Sequence, residues 1–111
     1  MDLNEKVLAT EYLYNGKIIN LRRDTVELSN GAQSTREIVE HSGGVCILPL
    51  DEDDQVIFVR QYRNPYAKIL LEIPAGKINA GEDPLTCGIR ELEEETGAKA
   101  ETVVSLGNMY P

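Results

Sequence analysis

Five charged residues in one short stretch have the types and spacing of a cation site: Glu82, then Arg90, Glu91, Glu94 and Glu95. At about 100° per residue, a helix places Glu91, Glu94 and Glu95 on one arc, with Glu91 and Glu95 a turn apart. Like charges at that spacing destabilise an isolated helix by roughly 0.2–0.5 kcal/mol per pair. Arg90 is the only base between Glu82 and Thr96 and stands one turn before Glu94, so it offsets only part of this charge. An acidic run is ordinarily a solvated face, but solvated faces mix their signs and this one does not. Hard cations such as Mg²⁺ take oxygen ligands from a few carboxylates, waters and substrate phosphates. The arc therefore reads as a divalent-metal site for a phosphate-bearing substrate, and the glycine-bounded loop before it can add a backbone carbonyl.

The element that must hold these acids is a helix with clear ends. Asp83 can cap unpaired N–H groups, Pro84 suits the first helical position, and Gly97 accepts the left-handed conformation that stops a helix. Leu85, Ile89 and Leu92 recur on one face and are expected to pack on a core.

These residues also resemble a known family. Gly76, five residues, Glu82, seven residues, then Arg90-Glu91-Leu92-x-Glu94-Glu95-x-Gly97 is similar to the signature of the Nudix hydrolases, here spanning 76–98. The one departure is Ala98, where the family has a larger aliphatic residue. The resemblance implies an α+β fold: a Nudix-like α/β/α sandwich, incomplete at the C-terminus, preceded by a small N-terminal antiparallel β-sheet. It implies Glu91 and Glu95 as principal ligands of Mg²⁺ (or Mn²⁺), Glu94 as a shared ligand and the Ala75 carbonyl as a backbone one. Glu82 would stand in the outer coordination or bind a further metal, Arg90 would orient the glutamates, and Gly76 would allow close backbone approach.

Leu71-Glu72-Ile73-Pro74-Ala75-Gly76-Lys77 and Val59-Arg60-Gln61-Tyr62-Arg63 narrow the resemblance to ADP-ribose pyrophosphatases and their relatives. Arg63 and Glu72 then become substrate-binding residues, and a guanidinium fork suits bidentate phosphate binding. Arg60 reads equally well as an exposed strand-end charge. In Thr35-Arg36-Glu37-Ile38-Val39-Glu40-His41, Arg36 and Glu37 would reach the substrate of a neighbouring subunit, although Arg36 alone reads as an ordinary strand charge. The implied reaction is metal-dependent cleavage of ADP-ribose, or a related nucleoside diphosphate sugar, to AMP and ribose 5-phosphate. Two alternatives remain: a Nudix hydrolase of a nucleoside triphosphate or dinucleoside polyphosphate, or a nucleotide-binding module without turnover. The resemblance further implies a homodimer through the N-terminal strands. It also implies that these residues are the N-terminal portion of a longer protein, with the catalytic base and a second covering helix outside them and apolar surface left exposed.

Composition bounds the rest. A chain of 111 residues supports one domain rather than two independent cores. A net charge of −8 and a pI near 4.6 oppose binding to nucleic acid or anionic membranes, which need basic surfaces. The start Met1-Asp2-Leu3-Asn4-Glu5 has no signal-peptide pattern, and no apolar run reaches transmembrane length. Cys46, in an apolar run, is expected to be a buried small hydrophobe. Neither cysteine has metal-ligand spacing and no disulfide framework is suggested, so a cytoplasmic setting is expected.

Along the chain, residues 1–42 read as strands and turns forming a dimerisation or exchange region, and 43–111 as the catalytic portion. Strands are expected at 6–14, at 17–28 with a bend at Arg22-Arg23-Asp24, and at 33–40, joined by Asn15-Gly16 and Asn30-Gly31 turns. Beyond a Gly43-Gly44 turn, strands 45–50 and 55–61 would form a hairpin over the acidic turn Asp51-Glu52-Asp53-Asp54. Further strands are expected at 69–73 and 100–109.

Overall fold

The computed structural model describes Met1–Pro111 and divides into two compact units, Met1–Ser42 and Gly43–Pro111. No helix is long and apolar enough to cross a membrane. The architecture is α+β, with seven strands, one 3-10 turn and one α-helix.

The first unit is an antiparallel sheet ordered β1-β2-β3, with β1 Lys6–Asn15, β2 Ile19–Glu27 and β3 Gln33–His41. Gly16 N–H donates to the Ile19 carbonyl at 2.8 Å to close the first turn. The second turn places Gly31 at φ 82, with Asn30 Oδ1 accepting from Ala32 N–H at 3.0 Å. The expected bend at Arg22-Arg23-Asp24 is absent, because β2 is the central strand and pairs continuously with β3 through those residues. The irregularities fall instead in the edge strand β1, between Val7 and Ala9 and between Tyr12 and Tyr14. An edge strand can absorb a bulge at the cost of one ladder only.

The second unit carries two short ribbons: β4 Gly44–Cys46 with β7 Ala75–Lys77, and β5 Val59–Arg63 with β6 Lys68–Glu72. The expected 45–50/55–61 hairpin shrinks to the single bridge Leu50↔Val56. The acidic turn beneath it folds on itself, with Asp51 Oδ1 accepting from Asp53 and Gln55 N–H groups. The flanking residues find other partners: β4 takes β7, and Ile47 N–H donates to the Pro74 carbonyl at 2.9 Å. Residues 102–111 form no strand, contrary to expectation, and no ladder runs beside them; β-branched composition cannot replace the hydrogen-bonded neighbour a strand requires. Cys46 is exposed rather than buried, since strand alternation turns Val45 inward and Cys46 outward.

Helix α1, Pro84–Thr96, begins and ends as its sequence dictates. Asp83 Oδ1 accepts from Leu85 N–H at 2.9 Å, and Gly97 closes the helix at φ 76 with its N–H on the Glu93 carbonyl. Its packed face keeps Leu92 of the three residues expected there and not the other two. Leu92 and Cys87 are buried, whereas Leu85 and Ile89 are 54% and 41% exposed. The helix lies against β4 and β7 through Cys87, Gly88, Glu91 and Leu92, and Gly88 brings the backbone to Ile47. The contact face is thus rotated toward the small residues, which permit close approach, and away from Leu85 and Ile89.

Candidate metal and diphosphate site

Arg90 organises the acids of α1 and of the loop before it. Its Nε and Nη2 donate to the two oxygens of Glu82 at 2.8 and 2.9 Å, while Nη1 donates to Glu91 at 2.9 Å and Glu94 at 3.1 Å. The one-turn spacing anticipated Glu94, and Glu91 is the next residue of the same helix, but the contact to Glu82 comes from the loop folding back over the helix. Glu82 also accepts from Asn79 N–H at 3.2 Å and is only 12% exposed at its side chain. The Arg90 fork holds the Glu82 carboxyl down to a pKa of about 2, and Glu82 in turn raises that of Arg90. Burial raises the pKa of the Cys87 thiol, which donates weakly to the Lys77 carbonyl beside this network.

Glu91 is fixed from its other side by β7. A Cβ built on Gly76 would lie 2.0 Å from Glu91 Cδ, so the absence of a side chain there makes room for this carboxylate. The Glu91 carboxyl thus lies against the bare Gly76 backbone, and the Gly44 backbone also passes close to the Gly76 carbonyl. Ala75 precedes it at the start of β7, paired with Cys46.

Glu95 faces the β5–β6 ribbon. Gln61 Nε2 donates to its Oε1 at 3.3 Å, while Oε2 is buried with no hydrogen-bond partner. Alternate residues of a strand share a face, which puts Gln61 on the same side as Arg63. Arg63 donates to Glu72 through Nε at 2.7 Å and through Nη2, lowering the carboxyl pKa of Glu72 and raising its own. The Glu95 charge adds to the rise in Arg63. The structure thus brings Glu82, Arg90, Glu91 and Glu94 into one network, and Gln61, Glu95, Arg63 and Glu72 into a neighbouring one. Gln61 had no role from sequence, although its period-two relation to Arg63 was visible there.

Arg36 and Glu37 lie in the first unit, on β3. Arg36 is tied to Glu5 at 2.5 Å, and its neighbour Glu37 projects from the opposite face, opposite Arg23. The two do not form one side-chain cluster.

The acids offer hard oxygen donors suited to a divalent cation. As they stand, no three acidic, histidine or cysteine side chains are grouped closely enough to hold one, and Arg90 pairs with Glu82, Glu91 and Glu94. Glu91 and Glu94 each engage Arg90 through a single oxygen, and Glu95 Oε2 has lost water without gaining a donor. A buried carboxylate oxygen without a partner is unfavourable, and a cation is the counterpart that satisfies it. The donor set fits the cation.

The family model described as NUDIX domain matches residues 40–111, and the one described as nucleoside diphosphate sugar hydrolase N-terminal domain matches residues 5–39. The chain is 46% identical over 97 residues to a methanol dehydrogenase activator of Bacillus methanolicus, covering 87% of this chain and 52% of that protein. It is 44% identical over 108 residues to an ADP-ribose pyrophosphatase of Bacillus subtilis, covering 97% of this chain and 58% of that protein. A solved structure titled as an ADP compounds hydrolase superposes with a TM-score of 0.78 at 26% identity, covering 92% of this chain and 56% of that one. The chain spans about half the length of the curated relatives it matches.

Proposed function

The chain belongs to the Nudix family, and from that premise we propose that it carries the metal-binding part of a Mg²⁺-dependent pyrophosphohydrolase. Its substrate on this reading is ADP-ribose or a related nucleoside diphosphate sugar, cleaved to AMP and ribose 5-phosphate. The observation that carries the reading is the unpartnered buried Oε2 of Glu95, set beside the Arg63–Glu72 pair. Glu91 and Glu95 would be the principal ligands, with Glu94 shared, the Ala75 carbonyl as a backbone ligand and Mn²⁺ an alternative ion. When bound, a divalent cation would neutralise diphosphate oxygens and lower the pKa of an attacking water. Glu82, engaged on both oxygens by Arg90, serves to hold that arginine in place. Arg63 presents a planar fork matched to phosphate oxygens, kept in orientation by Glu72.

On the same reading Arg36 and Glu37 serve the substrate of a second copy in a cytoplasmic homodimer formed through the N-terminal strands. Support comes from β1, which is exposed along its whole length and carries Val7, Leu8, Tyr12, Leu13 and Tyr14. A second reading, a regulatory nucleotide-binding module without turnover, is favoured by the relative named as a dehydrogenase activator.

Product analysis after incubation with ADP-ribose and Mg²⁺, with Glu95→Gln alongside, separates the two. AMP and ribose 5-phosphate from the wild type alone support the hydrolase. Cleavage retained by Glu95→Gln removes the metal-site assignment, and tight nucleotide binding without product favours the module.

A further inference from the structure

Gln61 is the one neutral side chain that reaches Glu95, with its Nε2 3.3 Å from Oε1. A carboxylate only accepts hydrogen bonds, so the amide must present its NH₂ to Glu95 whichever way round it is drawn. The donor comes from β5 and the acceptor from α1, so this bond ties the ribbon carrying Arg63 to the helix carrying the acids. A donor at one oxygen of a carboxylate restrains its rotation and biases the direction in which the other oxygen points. Here that oxygen is Oε2, which is buried and has no partner of its own. The Arg90 network does not reach Glu95, so none of its contacts duplicates this restraint.

We propose that Gln61 is a positioning residue for metal binding: it occupies Glu95 Oε1 so that Oε2 is presented to the cation. The inference rests on the reading of Glu95 as a metal ligand and adds a residue from outside the helix and its loop. Hydrogen bonds to a ligating carboxylate set its orientation, and losing such a partner typically costs roughly 10–100-fold in metal affinity.

The test is Mn²⁺ titration, with free ion followed by electron paramagnetic resonance, on wild type, Gln61→Met, Gln61→Ala, Glu95→Gln and Gln61→Met/Glu95→Gln. Melting of each metal-free protein is recorded in parallel. Methionine keeps the bulk of glutamine and removes the donor, so it serves if the alanine variant does not fold. The expected result is about a tenfold or greater loss of Mn²⁺ affinity in Gln61→Met, with metal-free melting close to wild type. In the Glu95→Gln background the same change should cost no further affinity, because Gln61 acts through Glu95. Wild-type affinity in Gln61→Met, beside a loss in Glu95→Gln, overturns the proposal and leaves the metal-site reading standing. A further loss in the double variant also overturns it, since Gln61 would then act independently. Unchanged affinity in Glu95→Gln, or no Mn²⁺ binding by wild type, sinks the metal-site reading and this proposal with it.

Discussion

Arg22 in the first unit and Arg90 in the second each face more than one carboxylate, but their surroundings differ. Arg22 pairs with Glu40 and lies 3.3 Å from the Asp24 carboxylate. Neutral donors complete both acids: Thr10 Oγ1 donates to Asp24 at 2.9 Å, and Tyr12 and Asn20 donate to Glu40. Asp24 can therefore sit at 3% exposure in the central strand. Around Arg90 there are three carboxylates and one added backbone donor from Asn79, and in the neighbouring network Glu95 keeps an unmatched oxygen. A sheet places donors from neighbouring strands opposite its acids, and so the first cluster is complete within the protein. A helix stacks its acids on one arc with few donors in reach, which leaves the second cluster short of positive charge.

The largest expected effect breaks that contrast at Glu95. On the proposed hydrolase reading, Glu95→Gln should lower metal-dependent hydrolysis of ADP-ribose about 100-fold or more, given that hydrogen-bond partners of ligands alone are worth 10–100-fold. Circular dichroism should show the fold retained. Gly76→Ala comes next. The added methyl meets the Glu91 carboxyl, a flexible group that can swing aside, so Mn²⁺ affinity should fall about tenfold while metal-free melting changes little. Affinity equal to wild type would show that the position of Glu91 against β7 does not matter for the ion.

Arginine replacement sharpens the comparison. Arg22→Ala and Arg90→Ala should both lower the metal-free melting temperature by leaving carboxylates uncompensated. Mg²⁺ should raise the melting temperature of Arg90→Ala by more than it raises that of wild type, and that of Arg22→Ala by the same amount as wild type, because the shift follows the affinity of the folded protein for the ion. Equal rescue of both would erase the distinction between the clusters.

The smallest effect is in acid. The pKa of Glu82 falls from 4.5 to about 2 in the folded protein, so its contribution to stability is present above about pH 4.5 and is lost as pH falls toward 2. Glu40, lowered chiefly by its bond from Arg22, loses its contribution in the same direction. In metal-free buffer, Glu82→Gln should flatten the acid limb of a melting-temperature profile more than Glu40→Gln does. Parallel profiles for both variants would count against the larger shift at Glu82.

Local features were legible wherever the cause is local. The capped ends of α1, the turn at Gly31, and the one-turn reach of Arg90 to Glu94 depend on residues a few positions apart. The expected strand at 100–109 is absent, and that at 45–50 is a strand only through Cys46, because a β-prone stretch becomes a strand only when another strand lies beside it. The buried face of α1 is legible in part: periodicity favours Leu85, Ile89 and Leu92, of which Leu92 is buried, while Cys87 takes the place of the other two.

By itself the sequence determined the chemistry available to this protein: a helix of defined ends, an arc of acids with one arginine to answer them, and hence a preference for a hard cation. Only the tertiary structure decided how those charges are shared. It folded Glu82 back onto both nitrogens of the Arg90 fork, set Gly76 against Glu91, and brought Gln61 from β5 to one oxygen of Glu95 while leaving the other unmatched. These partners lie between eight and thirty-four positions apart in the chain. Residue spacing along a helix determines neighbours one turn away, and contacts across that distance exist only once loop, ribbon and helix have packed together.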